Sequence, residues 1–182
     1  MYFYYTGVGS RDIPPDIYIY FEKLGTWFAR KGYILRSGHA KGSDKAFEKG
    51  CDKVHGKKEI YIPWRNFEDS DSNLIVKDPA AFEIAAKYHP KWRTLGQGAR
   101  KLQARNSHQV LGQNLTTPSE FVVCYTLNGL GSGGTGQAKR IAEGYHIPTF
   151  DVGYYSSIEE IKINLKEFLL KYTHLTEKDF VA

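Results

Sequence analysis

Three glycine-rich segments of the chain have the residue types that bind phosphate groups. They are residues 7–11 (GVGSR), residues 37–44 (SGHAKGSD) and residues 132–136 (SGGTG). Glycine lets a phosphate approach the main chain closely, and it adopts the positive φ angles at which successive N–H groups converge on an anion. The third segment is the most specific, because five glycines fall within residues 129–136, whereas an ordinary turn needs one or two.

Polar side chains in these segments extend the predicted phosphate site. Ser10 and Arg11 add a hydroxyl and a guanidinium group, and arginine can bind phosphate through two parallel hydrogen bonds. The alternative for Arg11 is a surface ion pair with Asp12 or Asp16. From the three segments we predict ligand contacts for Gly7, Gly9, Ser10, Arg11, Ser37, Gly38, Ser132, Gly133, Gly134 and Thr135.

The candidate catalytic acids are Asp44, Glu48 and Glu120. Each also has an ordinary explanation, since Asp44 or the preceding Ser43 can cap the helix that follows and the glutamates can lie on the surface. The sequence contains no GxSxG or GKS/T pattern, and its histidines are scattered without metal-ligand spacing. Its two cysteines, Cys51 and Cys124, lie far apart. We therefore predict two buried reduced thiols, no metal site and no cofactor.

The elements that would position these residues alternate between strands and helices. Residues 2–5 form an aromatic run of strand type that ends at the first glycine segment, and Pro14-Pro15 introduce a helix that Gly32 stops. The same order of strand, loop and helix recurs along the chain. Further strands are predicted at residues 33–35, 59–62, 121–125 and 147–150, and further helices after residue 44, at 80–87, at 98–111, after residue 136 and near the C-terminus.

This alternation predicts a single α/β domain over residues 1–182, with a Rossmann-like, mainly parallel sheet and helices on both faces. Residues 63–96 break the rhythm and are predicted to be an ordered insertion, and residues 156–182 a C-terminal helix and tail. In an open parallel sheet, ligands bind beyond the carboxyl ends of the strands, where helices point their free N–H groups. The three glycine segments all fall at that edge.

Composition and charge limit the partners. Of the 182 residues, 41% are hydrophobic, which suffices for one core. The net charge is +5, and basic residues concentrate in residues 23–58 and 87–105, so a polyanionic partner is one hypothesis. The longest apolar stretch, around residues 121–127, is much shorter than a membrane span, and the first residues lack the basic region of a signal peptide. We expect a cytoplasmic protein without a membrane contact.

Four motifs, taken in order, resemble the successive signatures of the DprA/SMF and LOG superfamily of Rossmann-like proteins. They are VGSRDIPP, RSGHAKGSDKAFEKGC, ARNSHQVLG with FVVCY, and GSGGTGQAKRIAEGYHIPTF, and together they span Gly7 to Phe150. The run HPKWRTLGQGARKLQARN is similar to stand-alone members carried by phages and bacteria. The resemblance implies a nucleotide pocket that includes Arg105 and Asn106, and it implies a homo-oligomer.

The branches of this superfamily differ in function. LOG enzymes release a base from a nucleoside monophosphate and use a PGGxGTxxE pattern, whereas this chain has Ser132, Gln137 and Arg140 in place of the proline, the threonine and the glutamate. Asp44 or Glu120 would have to substitute for that glutamate. DprA proteins bind single-stranded DNA and load recombinase. A third branch comprises sensor domains that bind nucleotides without turning them over.

The leading hypothesis is a nucleotide-binding protein in which main-chain amides hold the phosphates while Trp64 or a tyrosine stacks on a base. The first alternative is a DprA-like mediator that binds single-stranded DNA, for which the two basic segments should form one continuous face. The second alternative is a nucleotide hydrolase or phosphoribohydrolase of LOG type with a carboxylate at a non-standard position.

Overall fold

Apolar runs between the glycine segments form the strands of one sheet. The computed structural model describes residues 1–181, and within them six strands pair in parallel. The strands are β1 (Phe3–Gly9), β2 (Tyr33–Ser37), β3 (Lys58–Ile62), β4 (Leu74–Ile75), β5 (Phe121–Tyr125) and β6 (Thr149–Asp151). The helices are α1 (Pro15–Arg30), α2 (Ser43–Asp52), α3 (Pro79–Tyr88), α4 (Gln97–Leu111), α5 (Gly133–Gly144) and α6 (Ile158–Tyr172).

The strand order is β4-β3-β2-β1-β5-β6, so β1 and β5 are neighbours at the centre of the sheet. The chain moves outward from β1 to β4 and then returns to continue from β5 on the other side. The order therefore reverses between β1 and β5, and the loops that follow these two strands leave in opposite directions. Such a switch point opens a crevice at the carboxyl ends of the strands, where ligands of parallel α/β proteins bind.

Both faces of the sheet are buried, as a parallel sheet requires. Alternate residues of β5 divide between two apolar clusters, with Phe121 and Val123 in one and Val122 and Cys124 in the other. The first cluster includes side chains of α1, α2 and α6, and the second those of α3, α4 and α5. The predicted α/β fold, with helices on both faces of the sheet, is confirmed. No helix within residues 1–181 is long and apolar enough to cross a bilayer.

Residues 63–96 contain β4 and α3, together with single helical turns at Phe67–Asp69 and Trp92–Thr94. Helix α3 is tied to the helices beside it, because Ser107 Oγ donates to the Ala81 carbonyl (2.9 Å) and Gln137 Nε2 to the Ala85 carbonyl (2.8 Å). The segment thus adds an edge strand to the sheet and a helix to one face. The sequence did not indicate β4, since this strand has only two residues within a polar stretch.

Two local predictions were wrong. Strand β6 begins at Thr149 rather than residue 147, since Pro148 has no N–H to donate to a ladder. Neither Ser43 nor Asp44 caps α2, whose N-cap position is Gly42 with φ 88°. A Cβ on Gly42 would lie 2.2 Å from the Arg11 carbonyl oxygen, so the close approach of these two loops selects glycine there.

Candidate functional site

A cavity of about 530 Å³ opens at the carboxyl ends of β1 and β5, where the strand order reverses. Its walls are residues 8–12 at the end of β1 and just after it, residues 132–135 at the start of α5, and side chains of α2 and α4. The two central strands meet at this point, since Gly9 pairs with Tyr125 and the Ser10 N–H donates to the Tyr125 carbonyl (2.9 Å). The cavity thus lies where the topology alone predicts a ligand site.

The N-terminus of α5 faces open space in this cavity. Helix α5 begins at Gly133, whose φ is 68°, and no side chain caps its first turn. A Cβ built on Gly133 or on Gly134 would have no other heavy atom within 4 Å. The first N–H groups of the helix and its positive dipole end are therefore accessible to an anion. Predicted site residues Ser132 and Thr135 line the same cavity.

The loop that carries these glycines is fixed by a buried polar network. Asp151 accepts hydrogen bonds from the Thr126 N–H (3.0 Å) and from the Lys139 ammonium (2.8 Å). Thr126 Oγ1 in turn accepts from the Gly131 N–H (3.0 Å). Asn106 Nδ2 donates to the Gly134 carbonyl (3.2 Å) from the opposite wall. The N-terminal end of α5 is thus held from both sides.

Three polar side chains converge at the inner wall of the cavity, around Gly38. A Cβ on Gly38 would lie within about 3 Å of Gln109 Nε2, Asp44 Oδ2 and Arg105 Cζ. Arg105 donates to the Gly38 carbonyl (2.7 Å), but its Nε has no partner within residues 1–181, and neither has Gln109 Oε1. Both side chains are more than nine-tenths buried and line the cavity. A buried polar atom without a hydrogen-bond partner lowers the stability of the protein unless a ligand or a water molecule provides that partner.

Of the three candidate catalytic acids, Asp44 lines the cavity. Burial raises the pKa of Asp44 to about 6, against the opposing effects of the Arg105 charge and of the main-chain N–H groups of Ala40, Gly9 and Gly38. Burial likewise lowers the pKa of Arg105. A carboxyl group that titrates near neutrality inside a ligand-sized cavity is a common feature of functional sites.

The other two candidate carboxylates lie elsewhere. Glu48 bonds to His39 (2.6 Å) and Lys58 (2.8 Å) and does not line the cavity. Glu120 precedes β5, and its N–H donates to the Tyr4 carbonyl, so it lies at the amino edge of the sheet, opposite the glycine loops. Arg140 donates to the Tyr88 carbonyl (2.9 Å) and is also outside the cavity walls.

The predicted site residues closest to the sheet have structural contacts. Gly7 packs against the Phe47 ring, where a Cβ would approach to 2.7 Å. Ser37 Oγ is fully buried and donates to the Gly7 carbonyl (2.6 Å). Gly7, Ser37 and Gly38 therefore lie behind the cavity wall, whereas Gly9, Ser10 and Arg11 form part of it.

The rim carries residues that the sequence did not indicate. Arg11 pairs with Glu68 (3.6 Å), so the partner in its ion pair is neither Asp12 nor Asp16, the two named in the alternative interpretation. The Phe67 ring lies 4.7 Å from the Arg105 guanidinium and 5.8 Å from that of Arg11. Trp64 packs edge-on against Phe67 and does not line the cavity. Neither ring lines the cavity, and Phe67 is the one that packs against the two arginines.

Two further predictions from the sequence concern its cysteines and its possible metal ligands. Cys51 and Cys124 are buried free thiols, as predicted. Residues 1–181 contain no group of three or more histidine, cysteine or acidic side chains arranged to hold a metal ion.

Comparison with known proteins gives structural neighbours. No protein-family model and no curated protein sequence matches the chain. DNA processing protein A from Helicobacter pylori, described for its single-stranded DNA binding mode, is 18% identical, with a TM-score of 0.56 over 93% of this chain and 81% of that one. The Moco carrier protein of Chlamydomonas reinhardtii is 17% identical, with a TM-score of 0.54 over 96% of this chain and 88% of that one. A second structure of the Moco carrier protein is 15% identical to this chain, with a TM-score of 0.52. At these identities the likeness establishes the Rossmann-like fold that the motifs predicted.

Proposed function

We propose that the cavity binds a phosphate-bearing nucleotide or nucleotide-derived ligand, with a phosphate at the N-terminus of α5. The observation that carries this proposal is the open first turn of α5, where Gly133 and Gly134 leave main-chain N–H groups exposed in a cavity of about 530 Å³. Arg11 and Arg105 add positive charge to the same space. A helix N-terminus with nearby guanidinium groups is well suited to a phosphate.

The remaining walls suit the nucleoside part of such a ligand. Val8, Ala40 and Leu102 give the cavity an apolar surface, while Arg105 and Gln109 add polar side chains to its wall. Ligand sites commonly combine apolar walls with a few convergent polar groups of this kind. The Moco carrier protein and DNA processing protein A share the fold and are described by the ligands that they carry or bind, which is consistent with a binding role.

The first test is a thermal-shift panel of nucleoside mono-, di- and triphosphates, NAD, ADP-ribose, cyclic nucleotides and short single-stranded DNA. A ligand at about 100 times its dissociation constant should stabilise the native protein by roughly 2.7 kcal/mol. The decisive variant is Gly134→Leu. Its main-chain conformation accepts any residue, and the new side chain would project into open cavity rather than into protein. We expect Gly134→Leu to unfold cooperatively like the wild type but to show no ligand-induced shift.

Gly96→Leu is the matched control. Gly96 also has open space around its Cβ position and a φ of −70°, but it precedes α4 and lies outside the cavity. This variant should keep the full shift. Equal affinities for Gly134→Leu and the wild type would refute the placement of the phosphate.

Single-stranded DNA is the second candidate ligand, favoured by the basic rim of the cavity. Arg11 and Lys45 both lie beside Glu68, and their side chains are partly exposed. Exposed Trp64 packs against Phe67 in the segment that carries Glu68, and a base could stack on its ring. A shift with the oligonucleotide and with no small nucleotide would favour this candidate.

A further inference from the structure

A short segment at the rim, residues 64–69, carries an acidic side chain into the basic surroundings of the cavity. Phe67 anchors the segment, since its buried ring contacts the guanidinium groups of Arg11 and Arg105. Glu68 and Asp69 follow in the left-handed region, with φ of 47° and 66°. Non-glycine residues adopt this conformation uncommonly, and surrounding contacts help to hold them in it. The contacts of Glu68 therefore help to hold the conformation of this segment.

The Glu68 carboxylate lies among three positive or hydrogen-donating groups. Its Oε2 accepts from the Lys41 N–H (2.7 Å) and is 3.7 Å from Lys45 Nζ, while its Oε1 is 3.6 Å from the Arg11 guanidinium. Lys41 lies in the loop before α2, Lys45 in the first turn of α2, and Arg11 in the loop after β1. A main-chain N–H, an ammonium and a guanidinium around one anion are the groups that bind phosphate in other proteins.

The cavity beside Glu68 provides a second, independent sign of a ligand. Arg105 is more than nine-tenths buried, lines the cavity, and has an Nε without a partner among the described residues. Its guanidinium faces the same Phe67 ring as that of Arg11. Arg11 itself lines the cavity and contacts Glu68. The Glu68 position and the open cavity are thus adjoining parts of one basic surface.

We propose that Glu68 occupies a second anion subsite, and that a phosphate of the ligand replaces its carboxylate there. The proposal rests on the proposed function, in which the first phosphate lies at the N-terminus of α5. It narrows the ligand to a compound with at least two phosphate groups. The two sources of that chemistry are a nucleotide with a second phosphate and a strand with a neighbouring phosphodiester. Glu68 would exclude ligands that cannot displace it, since like charges cannot share the subsite.

The test compares the wild type with Glu68→Gln, using adenosine 5′-monophosphate, adenosine 5′-diphosphate and a short oligothymidylate as probes. Removing the competing charge should raise the affinity for a two-phosphate probe roughly fivefold, which is the largest effect expected for a partly exposed ion pair. Binding of adenosine 5′-monophosphate should not change. A gain with the diphosphate assigns the subsite to a small nucleotide, and a gain with oligothymidylate alone assigns it to a phosphodiester.

Glu22→Gln is the matched control, because Glu22 also bridges two basic side chains, Lys49 and Lys53, but lies outside the cavity. It changes the net charge equally and should leave every affinity unchanged. Adding Lys45→Met to Glu68→Gln should cancel the gain, since Lys45 would then be missing from the subsite.

Three results would overturn the subsite. In the first, a cooperatively folded Glu68→Gln binds both two-phosphate probes no more tightly than the wild type does. In the second, Glu68→Gln gains as much affinity for adenosine 5′-monophosphate as for the two-phosphate probes. In the third, Glu22→Gln gains as much affinity as Glu68→Gln. In each of them the wild type still binds a probe, so the proposed function survives. If no probe binds either protein, both proposals fail together.

Discussion

At the scale of single residues, the carboxyl group of Asp44 has a raised pKa in the cavity. The side chain is 3% exposed, and burial raises its pKa to about 6. The Arg105 charge and three main-chain N–H groups favour the ionised form but do not outweigh the loss of solvent. Near neutral pH the site therefore contains a carboxyl group that changes charge within reach of an anionic ligand.

This shift predicts a specific pH dependence of stability. Because the native pKa is above the unfolded value of about 3.8, the native state binds the proton more tightly. The stabilisation is fully present below about pH 4 and is lost as the pH rises through about 6. The loss amounts to about 3 kcal/mol, since one pH unit corresponds to about 1.4 kcal/mol. Asp44→Asn cannot titrate, so the wild type should lose stability relative to this variant across that range.

Urea unfolding of both proteins between about pH 4 and pH 7 measures this difference. Only the difference between the two curves is informative, since other groups titrate in both proteins. A difference in unfolding free energy that stays constant over the whole range would show that the pKa of Asp44 is not raised in the native protein.

At the scale of elements, the loop from β5 to α5 depends on a residue far along the chain. Asp151, at the end of β6, accepts from Thr126, Gly153 and Lys139 and is almost completely buried. Thr126 Oγ1 in turn accepts a hydrogen bond from the Gly131 N–H, which connects the loop to Asp151. The glycines allow the main-chain conformation of this loop, while the Asp151 network limits the freedom that would make the loop disordered.

Asp151→Ala should therefore weaken both stability and ligand binding. It leaves the largely buried Lys139 ammonium without its carboxylate, and removing one partner of a buried pair typically costs about 3 kcal/mol or more. The Gly131 amide should also exchange with solvent faster, as the loop loosens. Chemical unfolding, hydrogen exchange and the affinity for the ligand found in the thermal-shift panel are the measurements.

Asp179→Ala is the control for this prediction. Asp179 also pairs with a lysine, Lys31, but both side chains are partly exposed and remote from the loop, and an ion pair at such a position contributes under about 1 kcal/mol. Comparable losses in the two variants would mean that the Asp151 network does not hold the loop.

The elements explain what the sequence could and could not predict. The alternation of apolar strands with glycine loops and amphipathic helices predicts the parallel sheet, and local glycine density predicts the site at α5. The position of Gln109 could have been predicted from the sequence, since Gln109 lies one helical turn after Arg105 and therefore shares its face. The positions of Glu68 and Asp151 could not have been predicted, because they depend on contacts between segments far apart in sequence. The expected cap at Ser43 or Asp44 failed for the same reason, as the contact of Gly42 with Arg11 is a long-range one.

At the scale of the whole molecule, the positive charge is less available than the sequence suggests. The net charge is +5, but several lysines of residues 23–58 are in ion pairs outside the cavity. Lys49 and Lys53 pair with Glu22, Lys58 with Glu48 and Asp52, and Lys31 with Asp179. Lys45, by contrast, lies at the rim beside Arg11 and Glu68. This distribution favours a compact ligand over a long strand.

The salt dependence of binding separates these cases. For single strands, log K falls against log salt with a slope of about −0.7 for each phosphate that the protein neutralises. A ligand held by one or two phosphates should give a slope no steeper than about −1.5, for oligothymidylate as for a small nucleotide. Lys45→Met should make the slope shallower by about 0.7, whereas Lys53→Met, at a lysine paired with Glu22, should not change it. A much steeper slope with oligothymidylate, together with tighter binding than any nucleotide, would require a basic track extending beyond the cavity, and the single-stranded DNA candidate would then be preferred.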